Sequence, residues 1–346
     1  MRTFSDDLLS NLRRQGDPLA DAVVQAWLLD APQAIRAGIE RLRQPSPPAD
    51  LSEVERAFVI QTSQLPTWAD ARKLQRAATL FQRHTPEIMT MLGLLSLPYC
   101  YAAADGAQVL RLSERLTNDA TKRLQETAQF VWQVLQPHSF ESDGPGWSSV
   151  RQVRLVHALV RHHAAKHPHW NHAWGLPVNQ EDQAGTNLAF SLVVLRGLRR
   201  MHLLISPEEA EAFLHRWRVI GFLLGIDPLV LPATLQEAYY LDRAIVRRHF
   251  RESDAGKALT KALLHSLHEQ APAFRLAPYY MRFLLGDDVA DLLELPRDAT
   301  QQFLLEPLRV ANAFRSATGS AFGQPPLPVQ FKNYFAFPIP TWPVAS

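Results

Sequence analysis

The 346-residue chain has a single cysteine, Cys100. An intrachain disulfide is excluded, and so is a thiolate zinc or iron–sulfur cluster within one chain. Cys100 lies in the apolar run LLSLPYCYAAA, the setting of a buried, inert thiol. Neither sign of charge is in excess: 36 Lys+Arg face 34 Asp+Glu, a net charge of +2, so there is no basic footprint for a nucleic-acid partner. Long hydrophobic runs are missing too. IMTMLGLLSLPYCYAAA carries Pro98 inside it, and VIGFLLGIDPLVLP is broken by Asp227-Pro228. Both fall short of the roughly twenty apolar residues of a membrane-spanning helix. The opening MRTFSDDLLSNLRRQGDP reaches two aspartates before any apolar stretch of signal-peptide length, so the expectation is a cytoplasmic protein. Alternating strand patterns bounded by Asn-Gly or Asp-Gly are lacking. The chain also has no internal repeat, Gly-rich phosphate loop, nucleophile elbow or HExxH.

What is present is helical periodicity. Apolar residues make up 47% and charged residues 20%, the balance of a soluble globular protein long enough to bury a substantial core. Residues 17–40 read as one helix and part of another. Ser52 or Asp50 caps a helix with an acidic first turn, and Thr67 and Thr85-Pro86 open two more. Leu116–Leu135 is an amphipathic helix ended by Gln136-Pro137, with a Gly/Ser-rich loop after it. Further helices are expected over Ser149–His163, Asn179–Arg200, Ser206–Leu224, Leu235–Phe250, Asp254–His268 and Leu276–Leu284. Ser206-Pro-Glu-Glu is a strong start signal. The tail QPPLPVQFKNYFAFPIPTWPVAS should lie extended against the body. The fold class is all-α.

Six of the thirteen histidines, His157 to His172, fall within sixteen residues. His157 alone sits in an apolar helical run, with Arg154 at i−3 and Arg161 at i+4. A neutral imidazole on a helix face with cations one turn to either side suits an anionic, metal-bearing ligand. Haem meets that description, because its iron takes an axial imidazole and its propionates take arginine. The other histidines offer two readings, a solvated cluster or a zinc site using the i, i+4 pair His163 and His167, although Pro168 ends that helix. Glu181-Asp182 reads as the acidic first turn of a helix capped by Asn179. Trp217 reads as either a pocket wall or a core aromatic.

VRLVHALVRHH, GLPVNQEDQAGTNLAFS and EAEAFLHRWRVIGFLLGIDPLVLP, in this order, resemble the rubber oxygenase/latex clearing protein catalytic-domain family. That family also includes fungal endoplasmic-reticulum oxygenases that cleave an isoprenoid side chain. The resemblance runs from about Ala102 to Phe250. It implies a globin-like helical core with additional helices around one haem b, and O2 chemistry on an apolar alkene. It makes His157 the proximal iron ligand, flanked by Arg154 and Arg161. On the distal side the family's Arg-x-x-Lys-Thr pattern reads Arg123-Leu-Gln-Glu126-Thr127 here, with glutamate in place of lysine. Where polyisoprene-cleaving members place a glutamate base, AAADGAQ offers only Asp105.

The expectation is therefore a single helical domain over residues 1–346. Residues 1–84 form an N-terminal helical extension, 85–285 a haem-binding oxygenase-like core, and 286–346 C-terminal helices with the Pro/aromatic tail. The expected function is a b-type haem-dependent oxygenase acting with O2 on a small apolar, isoprenoid or unsaturated molecule, polyisoprene itself being disfavoured. Arg123 and Thr127 would stabilise developing charge, Glu126 or Asp105 would handle a proton, and Trp217 would border the cofactor. The alternative is a non-catalytic haem-binding or O2/redox-sensing protein on the same core.

Overall fold

The structure, a computed structural model, describes residues 3–30, 35–44, 46, 48–112, 120–270 and 276–298. The Pro/aromatic tail and residues 116–119 of the expected amphipathic helix lie outside these. Among the described residues the architecture is all-α. The β-type pairing there is an isolated antiparallel bridge between Ala103 and Phe250. No helix among the described residues is long and apolar enough to cross a membrane.

The helices begin where their caps dictate. Ser52 and Glu55 form a reciprocal capping box, as do Ser206 and Glu209: each serine hydroxyl accepts from the N3 amide and each glutamate accepts from the serine amide. Asp70 caps the Ala71–Arg83 helix, placing its start after Thr67. Pro145 opens the histidine helix, Pro145–Ala165, one turn earlier than the loop composition suggests.

That helix stands between two apolar clusters. Leu155, Ala158 and Leu159 pack on Ala20, Val23, Val24, Ile39, Leu42 and Phe58 from the N-terminal helices. Trp147 and Val150 join the larger core instead. Fully burying each leucine contributes about 1.5–3 kcal/mol. The N-terminal helices thus buttress the histidine helix from behind.

The segment with Pro98 is one long helix from Thr85 to Tyr101, widened into a π turn over Leu92–Ser96. The Leu97 amide bonds back five residues to the Leu92 carbonyl. Proline has no N–H to give and its ring crowds the preceding turn, so a wide turn just before it keeps the helix running. Ser96, buried in that turn, donates its hydroxyl to the Ala189 carbonyl at 2.7 Å. The expected Asn179–Arg200 helix is in fact two, Gln180–Phe190 and Leu192–Arg200. Ser191 breaks it at φ −111°, ψ −83°, with its hydroxyl bonded back to the Asn187 carbonyl at 2.8 Å.

Candidate active site

Helical spacing puts Val153, Val156, His157 and Val160 on one face of the histidine helix. All four are half-buried. Arg154, Leu155, Ala158, Leu159 and Arg161 turn the other way and are buried. An apolar stripe that is only half covered borders space that the protein does not fill.

His157 lies deep in the protein within this stripe. Its Nδ1 is sealed from solvent and has no hydrogen-bond partner. Burial pushes the imidazole pKa down to about 4, and the charges of Arg161 and Arg123 push the same way. The ring is neutral at physiological pH and keeps a nitrogen lone pair. A buried, unpartnered ring nitrogen is costly, and coordination to a metal removes that cost.

The flanking arginines are held by the N-terminal segment. Arg154 is 2% exposed and forms a two-pronged pair with Asp17, Nε to Oδ2 at 2.6 Å and Nη2 to Oδ1 at 2.7 Å. Its Nη1 donates to Gln61 Oε1 and to the Leu223 carbonyl. Those bonds engage most of its donors within the protein. Arg161 pairs with Asp21, Nε to Oδ1 at 2.9 Å, and gives Nη1 to the Val178 carbonyl at 2.6 Å. Its Nη2 is also ion-paired with Asp21, 2.9 Å from Oδ1. The charge of Arg161 acts on His157.

Residues 121–130 of the Ala120–Leu135 helix are half-buried at every position. A helix packed on one side would alternate between buried and exposed faces, so this one borders accessible space on more than one side. It packs against the histidine helix. Arg123 is close enough for its charge to act on His157, Cys100 and Tyr101. Glu126, three residues on, buries Oε1. The Thr127 hydroxyl donates to the Arg123 carbonyl at 2.9 Å, so its proton serves its own helix and the oxygen remains an acceptor. Arg216, 4% exposed, secures the far end of this helix. It donates to the carbonyls of Val134 and Gln136 at 2.7–3.0 Å and to that of Leu74.

Asp105 is elsewhere, in an ionic network that the sequence did not reveal. It pairs with Arg251, and its Oδ2 is 3.8 Å from Arg13 and 3.9 Å from His249 Nδ1. Glu181, fully buried, holds Arg248 at 2.7 Å, His249 Nε2 at 2.9 Å and Arg13 at 3.4 Å. Burial raises the Glu181 pKa, but the bonds from His249 and Arg248 outweigh it and leave the value lowered. Glu181 is thus more than a first-turn acid. Asp105 is thus engaged in ion pairs with Arg251, Arg13 and His249.

Trp217 is 1% exposed and packs against Phe190, ring centroids 5.5 Å apart. It is a core aromatic with an unpartnered Nε1. Gln183, missed from sequence, is buried, and its side-chain hydrogen bond to the His157 ring acts to raise that pKa against the larger effect of burial. Its only signal was its place one turn into the helix capped by Asn179. In the remaining histidine cluster, His162 lies 2.9 Å from Lys166 and His163 is exposed. Among the described residues no three His, Cys, Asp or Glu converge as a metal-ligand set.

Residues 88–316 match the family described as ER-bound oxygenase mpaB/B'/Rubber oxygenase, catalytic domain. The rubber oxygenase of Streptomyces sp. (strain K30) is 26% identical over 308 residues, which cover 86% of this chain and 74% of that protein. A solved structure of latex clearing protein in the closed state superposes with a TM-score of 0.79 at 23% identity, covering 93% of this chain and 88% of the other. At that identity the structural likeness shows a shared fold. The family match spans well over half of the sequence and contains His157, Arg123 and the helices that carry them. The chain belongs to the mpaB/B'/rubber oxygenase catalytic-domain family of oxygenases.

Proposed function

We propose that this oxygenase-family chain is a haem b-dependent enzyme acting with O2 on a small apolar molecule, isoprenoid or otherwise unsaturated. His157 carries the reading. It is a deeply placed imidazole, held neutral, with an unpartnered ring nitrogen on a half-covered valine stripe. Those features fit an iron tetrapyrrole: a nitrogen for the metal, apolar side chains for the macrocycle and the positive charge of Arg161 for a propionate. When bound, haem would supply O2 activation, which no side chain here provides.

The protein's own residues supply the surroundings. Val153, Val156 and Val160 exclude water from the face of the macrocycle on which His157 stands. Arg123 places a fixed positive charge within reach of His157 and would stabilise negative charge developing on the distal side. Glu126, in the position of the family's lysine, is the carboxylate on the distal helix and the candidate for moving a proton. The haem-holding part would be residues 85–285, with residues 1–84 as its buttress through Asp17 and Asp21.

The absolute spectrum of purified full-length protein, its pyridine haemochrome and oxygen uptake with a panel of terpenoid alkenes test this reading. The alternative, a haem-binding or O2/redox-sensing protein without turnover, is favoured by the engagement of Asp105 in ion pairs. It would show the same spectrum and no substrate-dependent oxygen uptake.

A further inference from the structure

Two buried nitrogens without partners converge in the ionic network around Asp105. Arg13, Asp105 and His249 come from the N-terminal segment, the Ala104–Leu112 helix and the end of the Leu235–His249 helix, and all three are buried. Arg13 Nη2 and His249 Nδ1 have no hydrogen-bond partner among the described residues. Both face the same atom, Asp105 Oδ2, at 3.8 and 3.9 Å. That is too long for direct hydrogen bonds and suits a small molecule between them. Each of the three side chains is also held on its other side. Arg13 Nη1 donates to Asp182 at 2.8 Å, His249 Nε2 lies 2.9 Å from Glu181, and Asp105 Oδ1 accepts from Arg251.

The chemistry of the three atoms defines the guest. Glu181 is held ionised, so His249 gives it the Nε2 proton and keeps a lone pair on Nδ1. Asp105 Oδ2 is an acceptor and Arg13 Nη2 a donor, so the guest must offer two hydrogens and accept one. Around it the charges of Arg13, Arg248 and Arg251 balance those of Asp105, Glu181 and Asp182. An anion would lie against Asp105 Oδ2 and a cation against Arg13 Nη2. A neutral water meets every requirement, with three partners. We infer that one buried water is bound here, donating to His249 Nδ1 and Asp105 Oδ2 and accepting from Arg13 Nη2, and that it closes the joint between the N-terminal segment and the body. The same segment continues to Asp17 and Asp21, which hold Arg154 and Arg161. The water site does not depend on the haem reading.

Nuclear magnetic resonance of full-length protein with labelled histidine, at neutral pH, tests this. Long-range nitrogen–proton correlation should place the His249 proton on Nε2 alone. The carbon-bound proton between the two ring nitrogens should cross-relax with a water that stays far longer than surface hydration water. Asp105→Asn, which keeps an oxygen at this place, should preserve that signal, and Asp105→Leu should abolish it. In a crystal grown with bromide, a density peak within hydrogen-bond distance of all three atoms should carry no anomalous signal. A bromide signal there makes the guest an anion and overturns the assignment. So does a His249 ring protonated on both nitrogens, a water signal that survives Asp105→Leu, or Asp105 in direct contact with either nitrogen and no density between them. If Asp105→Leu fails to fold, the wild-type spectrum and the bromide crystal decide the question.

Discussion

Arg154 and Asp17, 137 residues apart in sequence, meet in a buried two-pronged ion pair one turn from His157. The pair fixes the back of the histidine helix to the N-terminal segment. Removing one partner of such a pair strands the other charge, which costs about 3–5 kcal/mol. Asp17→Ala should therefore lower stability by that order in chemical denaturation. Any haem loss should follow the stability loss instead of preceding it. A variant with wild-type stability and selectively lost cofactor would return Arg154 to a ligand-binding role.

Gly225 makes that pair sterically possible. Its φ is +80°, and a Cβ there would sit 2.7 Å from both Arg154 Nη2 and Asp17 Oδ2. Gly225→Ala combines left-handed strain with this clash, so a loss on the order of 1–3 kcal/mol is expected. Thermal unfolding of the variant checks it.

The imidazole of His157 gives the cofactor-free protein a specific pH dependence. Its folded pKa of about 4 lies below the ordinary histidine value of 6.5, so the unfolded chain takes up the proton first. The stability associated with the neutral ring is fully present above pH 6.5 and is lost as the pH falls toward 4. His157→Gln should flatten that part of the stability–pH curve. An imidazole resonance of His157 titrating near 6.5 in the folded protein would contradict the environment described.

Arg216 carries the end of the Ala120–Leu135 helix. Burial lowers its pKa to about 10, still well above neutrality, so it binds the Val134, Gln136 and Leu74 carbonyls as a cation. Arg216→Met leaves those carbonyls unsatisfied, at a cost of about 1–3 kcal/mol each where burial is complete. Amide hydrogen exchange over residues 131–136 should accelerate more than elsewhere.

Much of the fold was legible because helix signals are local. Ser52, Asn179 and Ser206 declare their helices through residues three positions on, and the 3.6-residue period gives the buried faces. The break at Ser191 and the π turn before Pro98 were not legible, because each depends on a neighbouring helix. In the site, His157 stood out by its apolar flanks, and the charge of Arg161 acts on it. The ties of Arg154 to Asp17 and of Asp105 to Arg13, Arg251 and His249 join residues that the fold brings together. Spacing along one helix could show the direction of Arg154 but not the carboxylate waiting for it.

Whether His157 holds a haem iron is decided by a pyridine haemochrome on full-length protein and its histidine variants. Wild-type protein should carry haem b at one equivalent per chain. His157→Ala should carry little or none and melt at a lower temperature, because a ligand bound to the native state stabilises it. His162→Ala and His163→Ala, which turn toward Lys166 and solvent, should keep their full complement. Stoichiometric haem in His157→Ala, or its loss in another single-histidine variant while His157→Ala retains it, would contradict the account.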